Sequence, residues 1–352
     1  MREAVFEFQF LTPALLAGAD QQTAEMRIPS LRGALRWWTR LLYGDDYENE
    51  VFGYVKGKEC VPSTVKFRLL NDSMGKIIKS QNAQSLTKNE FDYFLWPLRR
   101  DNTRGILDAD YRIKVAMSIK PGCEEIEDGI LKSFLLFGSL GTRSRRAYGS
   151  VWPLSVTIDG EQWKIPQTVD ELLDESDNFF GDAEISIWQL SSGVRDYKEA
   201  VNVCTTFLKT LRCGKSQYGV AASEWGKADH DTGLNLKENS KNYRAGLGLP
   251  LVQQYSKSRK KVKYSFNGCD RLASPLHFKV IKLKEGYVPI MLVIPEYVPA
   301  DGTILTAETN DNRFYRVKLD RILLDGLAKK AGFVQKIYPD AEMLVRYPYE
   351  EE

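Results

Sequence analysis

Apolar and polar positions alternate at the start of the chain. Phe6, Phe8 and Phe10 fall on one side and Glu7 and Gln9 on the other, which predicts a half-buried strand. Pro13 and Gly18 then mark a loop. Leu31, Ala34, Leu35, Trp38, Leu41 and Leu42 recur at helical spacing, so a helix opens after Pro29, with Ser30 as its N-cap, and Gly44 closes it. Val65–Leu70 and Tyr111–Ile119 read as strands; the second puts Ile113, Val115 and Met117 on one face and Arg112 and Lys114 on the other. The polar stretch 71–110 between them predicts a long loop of the functional or disordered kind. Asp128–Phe137 predicts a short apolar helix, and Leu154, Val156 and Ile158 mark one face of a further strand. Strand, helix, strand, strand, helix, strand is the order of a split βαβ sandwich.

The second half repeats the theme more loosely. Ala183–Leu190 reads as a strand, and Tyr197 to Leu211 carries a helical stripe that ends at Gly214. Pro275–Leu283 and Tyr287–Ile294 read as strands, and Asp320–Ala331 as a terminal helix ended by Gly332. Residues 214–265 are rich in Gly, Lys and Ser and predict loops. A chain of 352 residues is long for one core, so two domains are expected, 1–160 and 161–352, with the acidic stretch 159–178 between them. The duplication is architectural, since no repeat of fixed period appears.

Net charge is only +2, so bulk charge does not point to nucleic acid; its distribution does. Three windows, 27–40, 129–158 and 239–269, hold basic residues and no Asp or Glu. In the first, Arg32, Arg36 and Arg40 recur every fourth residue and share a helix face, with Trp37 beside them and no acid to balance them. In the second, the glycine-bounded loop Gly138–Gly149 carries Arg143, Arg145 and Arg146. Glycine lets a backbone approach closely, and arginine forks match phosphate oxygens. In the third, Lys257, Arg259, Lys260 and Lys261 form a run suited to salt-dependent backbone contact, or to a solvated loop. Guanidinium groups with an aromatic plane are the parts of a single-stranded RNA site.

Other chemistry is sparse. The five cysteines are scattered and never form C-x-x-C, which argues against a disulfide framework or a zinc site. No G-x-x-x-x-G-K-[ST], H-E-x-x-H or G-x-S-x-G occurs. His230 and His277 are the two histidines, and His277 is expected on the outer face of its strand beside Lys279. No charged-then-apolar leader follows Met1, and the longest apolar run, near Tyr287–Ile294, contains Pro289, so a cytoplasmic chain without a membrane span is expected.

Leu11-Thr12-Pro13 through Gly18-Ala19-Asp20, followed by Arg27-Ile28-Pro29-Ser30-Leu31-Arg32-Gly33-Ala34-Leu35-Arg36-Trp37-Trp38, resembles the N-terminal signature of RAMP proteins, the repeat-associated RNA-binding subunits of CRISPR effector complexes. Among these it is most similar to those serving as subunit one of type III-B (Cmr) complexes. Gly138–Ser150 is similar to the superfamily's glycine-rich loop, and Gly246–Pro250 and Arg271–Leu276 to its C-terminal motifs. Ser139 and Ala147 depart from it, standing where glycine is common, and the last ~70 residues carry no family motif.

The resemblance implies an α+β protein of two tandem ferredoxin-like (RRM-like, βαββαβ) domains. It implies a non-catalytic subunit without a cofactor, near the guide RNA 3′ end beside other RAMP subunits, helping to capture target RNA in antiviral defence. The residues expected to hold RNA are Arg27, Arg32, Arg36, Trp37, Arg40, Gly141, Arg143, Arg145, Arg146, Lys257, Arg259, Lys260 and Lys261. The helix and the glycine loop are expected to converge on one cationic trough. The rival is a metal-independent endoribonuclease acting on guide precursor, with His277 or His230 as general base; a third reading is a protein–protein scaffold.

Overall fold

The structure, a computed structural model, describes residues 2–20, 22–78, 92–95, 105–123, 126–180, 183–213, 223–249, 251–255, 258–267, 269 and 271–348. The first half is built from β1 (Arg2–Phe10), α1 (Ile28–Phe52), β2 (Val65–Met74), β3 (Arg112–Ile119), α2 (Lys132–Phe137) and β4 (Val151–Ile158). The sheet runs β2-β3-β1-β4, every neighbouring pair antiparallel. The alternation in β1 places Phe6, Phe8 and Phe10 wholly inside. Full burial of each such ring is worth about 1.5–3 kcal/mol, which fixes the strand's register.

The chain continues through α3 (Val169–Phe180), β5 (Ile185–Gln189), α4 (Tyr197–Arg212), α5 (Glu224–Leu234), β6 (Ser240–Asn242), β7 (Leu251–Tyr255), β8 (Lys260–Ser265), β9 (Leu276–Leu283), β10 (Gly286–Val293), β11 (Ile304–Thr309), β12 (Phe314–Leu319), α6 (Ile322–Lys329), α7 (Ala331–Ile337) and β13 (Glu342–Tyr347). A second antiparallel sheet runs β9-β10-β5-β13. Taking its strands in chain order, this is the arrangement of the first sheet again. The strands of a third sheet, β6-β12-β11-β8-β7, are interleaved in the chain with those of the second.

Two cores hold these layers together. In the first, α1, α2 and α3 are packed between the first sheet and one face of the second, so Phe8 and Val115 belong to the same core as Ile187 and Ile290. Trp38 stacks on Phe180 at 6.2 Å, and Phe180 meets Tyr347 at 5.3 Å. In the second, the other face of the second sheet packs through α4, α6 and α7 onto the third, joining Phe278 and Met291 to Val262, Tyr264 and Leu305.

Several expectations are corrected. Gly44 does not end α1; with φ 83° it kinks the chain, and a further helical segment runs to Phe52. Gly332 sits inside α7, which follows α6 directly, and β13 comes after it. The supposed loops of 214–265 hold α5, β6, β7 and β8 among the described residues. Within 71–110, Ile77–Ile78 pairs with Ile106–Leu107, and Asp92–Leu95 forms a turn of helix whose Phe94 lies 5.6 Å from Phe278.

Candidate nucleic-acid interface

The glycine loop leaves α2 at Gly138, whose N–H donates to Phe134 O at 2.7 Å. Leu140 N–H donates to Gly149 O at 2.9 Å, closing the loop at its base. Gly141 (φ 93°) and Gly149 (φ 67°) are left-handed; a Cβ on Gly141 would come 2.7 Å from Leu15 O, and one on Gly149 would collide with Leu140 O. One flank is pinned to the N-terminal segment: Thr142 N–H donates to Leu15 O (3.0 Å), Gly149 N–H to Pro13 O (3.0 Å), and the Thr12 hydroxyl to Ala147 O (2.7 Å).

The other flank is pinned to the second sheet. Ala147 N–H donates to Phe278 O at 2.9 Å, and Val280 N–H donates to the Ser150 hydroxyl at 3.1 Å. Lys279 is 1 % exposed, and its Nζ donates to Gly138 O (2.8 Å) and Leu135 O (3.4 Å) at the end of α2. Burial holds that amine well below the ordinary lysine pKa. Ala147 answers the departure from the family pattern: it takes φ 61° with its methyl wholly buried in the second core, so the position is a packing joint. His277 and Lys279 are thus not on an outer face; both are turned into the junction.

The helix arginines meet acids that their window lacks. The kink at Gly44 returns Glu48, 2 % exposed, against α1, where Arg36 donates to it and Arg40 donates through Nη2 at 2.7 Å. Arg40 also pairs with Asp45 at 2.8 Å. Burial alone would raise the Glu48 pKa, but hydrogen bonds from Arg40 and Arg36 outweigh it and hold the carboxyl below its ordinary value. Arg32 donates to Phe52 O and lies over the Phe52 ring at 5.6 Å, with its pKa lowered by burial and by the Arg36 charge. Arg27, the N-cap residue of α1, pairs with Glu25 at 3.4 Å. The expectation of an arginine face without counter-charge is therefore corrected: Glu48, eight residues beyond Arg40 and twelve beyond Arg36, and Asp45, five beyond Arg40, arrive through the turn.

Trp37 and Arg145 do come together. The Arg145 guanidinium lies 5.8 Å from the Trp37 ring centroid, and Trp37 stacks on His277 at 5.0 Å with 28° between planes. Arg145 Nη1 also reaches Ser274 O at 3.4 Å. Arg146 donates to Arg145 O (2.9 Å) and Leu276 O (3.1 Å) and lies over Phe278 at 6.0 Å. Burial pushes its pKa down to about 9, which leaves it charged at neutral pH. Burial, then the charges of Arg145 and Arg146, push His277 well below the usual histidine value, so its ring is neutral at pH 7. Arg143 is half-buried with φ 73°.

These residues border a cavity of about 250 Å³, lined by Ser30, Ala34 and Trp37 from α1, Gly138–Gly141, Ser144 and Arg145 from the loop, and His277 from β9. The volume falls below the roughly 300 Å³ of an ordinary small-molecule pocket. Hydroxyls, loop backbone and one guanidinium on an aromatic face suit a short length of sugar–phosphate. Arg145 and Arg146 bind carbonyl oxygens and pair with no carboxylate among the described residues.

The basic run is elsewhere. Arg259 lies in the β7–β8 turn of the third sheet; Lys260 Nζ donates to Leu234 O at 2.9 Å; Lys261 is exposed; Lys257 lies outside the described residues. His230 is on α5, with its ring 4.9 Å from Tyr255. Among the described residues, no group of three or more His, Cys, Asp or Glu converges as a metal site, and no helix is long and apolar enough to cross a membrane.

Residues 7–152 match the family described as the RAMP superfamily. Two Pyrococcus furiosus proteins are similar in sequence. The CRISPR system Cmr subunit Cmr1-2 is 25 % identical over 179 residues, covering 43 % of this chain and 95 % of that protein. The Cmr subunit Cmr1-1 is 31 % identical over 163 residues, covering 42 % of this chain and 46 % of that protein. The crystal structure of Cmr1 from the same organism, in its apo form, superposes with a TM-score of 0.59 at 15 % identity, over 97 % of this chain and 98 % of that one. That likeness is one of fold.

Proposed function

We propose that the chain is a member of the RAMP superfamily, which its residues 7–152 match, and a non-catalytic RNA-binding subunit of a type III-B CRISPR effector complex, built from two ferredoxin-like units that divide near residue 160. It works in the cytoplasm beside other RAMP subunits, near the guide RNA 3′ end, and helps to capture target RNA. Sequence selectivity comes from guide–target pairing rather than from this chain. The observation that carries the reading is Arg145: a cation paired with no carboxylate among the described residues, held over Trp37 where α1, the glycine loop and β9 meet. Arg145 makes the central phosphate contact, with Gly141 and Arg143 beside it on the loop. Arg146 fixes the loop to β9. Arg27, Arg36 and Arg40, whose forks are shared with carboxylates, add a weaker field, and Arg32 anchors the kinked segment. The β7–β8 turn, with Arg259 and Lys261, supplies a separate contact to backbone phosphate.

Arg145→Ala is expected to weaken binding of a single-stranded RNA and to reduce the slope of log K against log salt by about 1. Fluorescence anisotropy from 50 to 300 mM salt measures both. An unaltered slope would remove Arg145, and with it the reading, from the site.

One observation favours a second reading, a metal-independent endoribonuclease. The His277 imidazole is neutral, the form a general base needs, and borders the cavity beside a guanidinium. That enzyme would cleave repeat RNA in EDTA and lose the activity in His277→Ala; the subunit proposed here leaves the RNA intact.

A further inference from the structure

The aromatic plane that the sequence offers for base stacking is Trp37, and that ring already has neighbours. His277 is stacked on it, Trp38 meets it edge-on at 5.1 Å, and Arg145 lies over it. A different aromatic side chain stands open at the same junction. Tyr297 is 37 % exposed, in the turn Pro295–Val298 that follows β10, where Val298 N–H donates to Pro295 O at 3.0 Å. Among the described residues no ring packs on it and its hydroxyl makes no hydrogen bond. The turn is tied to the loop's own docking edge: Ile294 N–H donates to Pro275 O at 2.9 Å, and Arg145 reaches the adjacent Ser274 O. The charges of Arg40 on α1 and Arg145 on the glycine loop both act on Tyr297.

We propose that Tyr297 is the base-stacking platform of this interface, taking an unpaired base of single-stranded RNA whose phosphates lie along Arg145. This rests on the RNA-binding reading above and names a residue for it. The acidic neighbours favour a base over a phosphate at the ring: the charges of Glu296 and Asp45 act on Tyr297 and would repel an anion, whereas a neutral base meets only the π-face. Phosphate and base are thus separated, one to the loop cation and one to the tyrosine. Tyr43, equally exposed, by contrast has a ring neighbour, Tyr47, at 5.4 Å.

The test compares Tyr297→Ala and Tyr297→Phe with the unaltered full chain, using a fluorescein-labelled 12-nucleotide single-stranded RNA and anisotropy across the same salt range. Tyr297→Ala is expected to weaken binding about tenfold with the salt slope unchanged, since no phosphate contact is lost. Tyr297→Phe, which keeps the ring, is expected within about twofold of the unaltered chain. Thermal melts of all three are expected to coincide, the side chain being exposed. If Tyr297→Ala binds as tightly as the unaltered chain while Arg145→Ala loses slope, RNA binding stands and the platform is wrong. If Tyr297→Phe falls as far as Tyr297→Ala, the ring is not what binds. If the unaltered chain shows no salt-dependent affinity for RNA, the reading beneath both falls.

Discussion

Replacing Arg36 and Arg40 together by methionine is expected to lower the free energy of unfolding by about 3–5 kcal/mol at pH 7, the cost of leaving a buried charge without its partners. The stranded group is Glu48, which both arginines hold from one side of α1. Adding Glu48→Leu to that pair removes the charge as well and is expected to recover most of the loss. The pH dependence separates this account from a simple packing defect. In the unaltered chain the Glu48 pKa lies below its unfolded value, so its stabilisation is present above about pH 4.3 and fades as pH falls through the lower, folded value. Without the arginines, burial dominates and the folded pKa rises above the unfolded one, so the double variant gains stability as pH falls towards about 4.3. Urea titrations between pH 4.5 and 7.5 check the inversion. Curves that shift in parallel would mean that Glu48 is not the charge those arginines serve.

That clamp marks where reading the chain by itself reaches its limit. Strand β1, the start of α1, and strands β9 and β10 were legible because their apolar spacing is local and their burial follows it residue by residue. The balance of charge was not. Arg36 and Arg40 look unopposed until the left-handed backbone at Gly44 turns the chain back. Lys132 pairs with Glu175, Lys241 with Asp320 and Arg244 with the buried Asp229, each across a separation that no window of basic residues reveals. Arg145 and Arg146 differ because Ser274 and Leu276, at the start of β9, offer them carbonyl oxygens. Strand β8 was hidden for a related reason. Val262 and Tyr264 alternate inward with Lys261 and Lys263 outward, yet the density of lysine reads as a solvated run. Tyr297 carries no signal in the chain at all, since the charges that act on it, Arg40 and Arg145, come from elements distant in sequence.

The glycine loop's other anchor, Lys279, leads to a pH dependence of the same sign as that of Glu48, in a more alkaline window and from burial rather than from ion pairing. A lysine held in the interior on carbonyl oxygens, with no carboxylate paired to it among the described residues, keeps its proton less readily than in the unfolded chain. The unfolded state therefore binds more protons over the window from the depressed folded pKa up to about 10.4, and stability rises with pH across it, by at most about 1.4 kcal/mol per unit. Lys279→Met has no such group. The stability difference between the unaltered chain and Lys279→Met is expected to widen in favour of the former between pH 7 and 9, measured by urea unfolding at each pH. Taking the difference matters, because buried tyrosines such as Tyr264 act in the reverse direction at the alkaline end and are common to both proteins. A difference that stays flat would mean that Nζ reaches solvent and does not bridge α2 to β9. The glycine loop would then lose one of the contacts that hold it in front of Trp37, and its attachment to β9 would rest on the backbone pairing of Arg146 and Ala147 with Phe278 and on the bonds of Arg146 to Leu276 and of Val280 to Ser150.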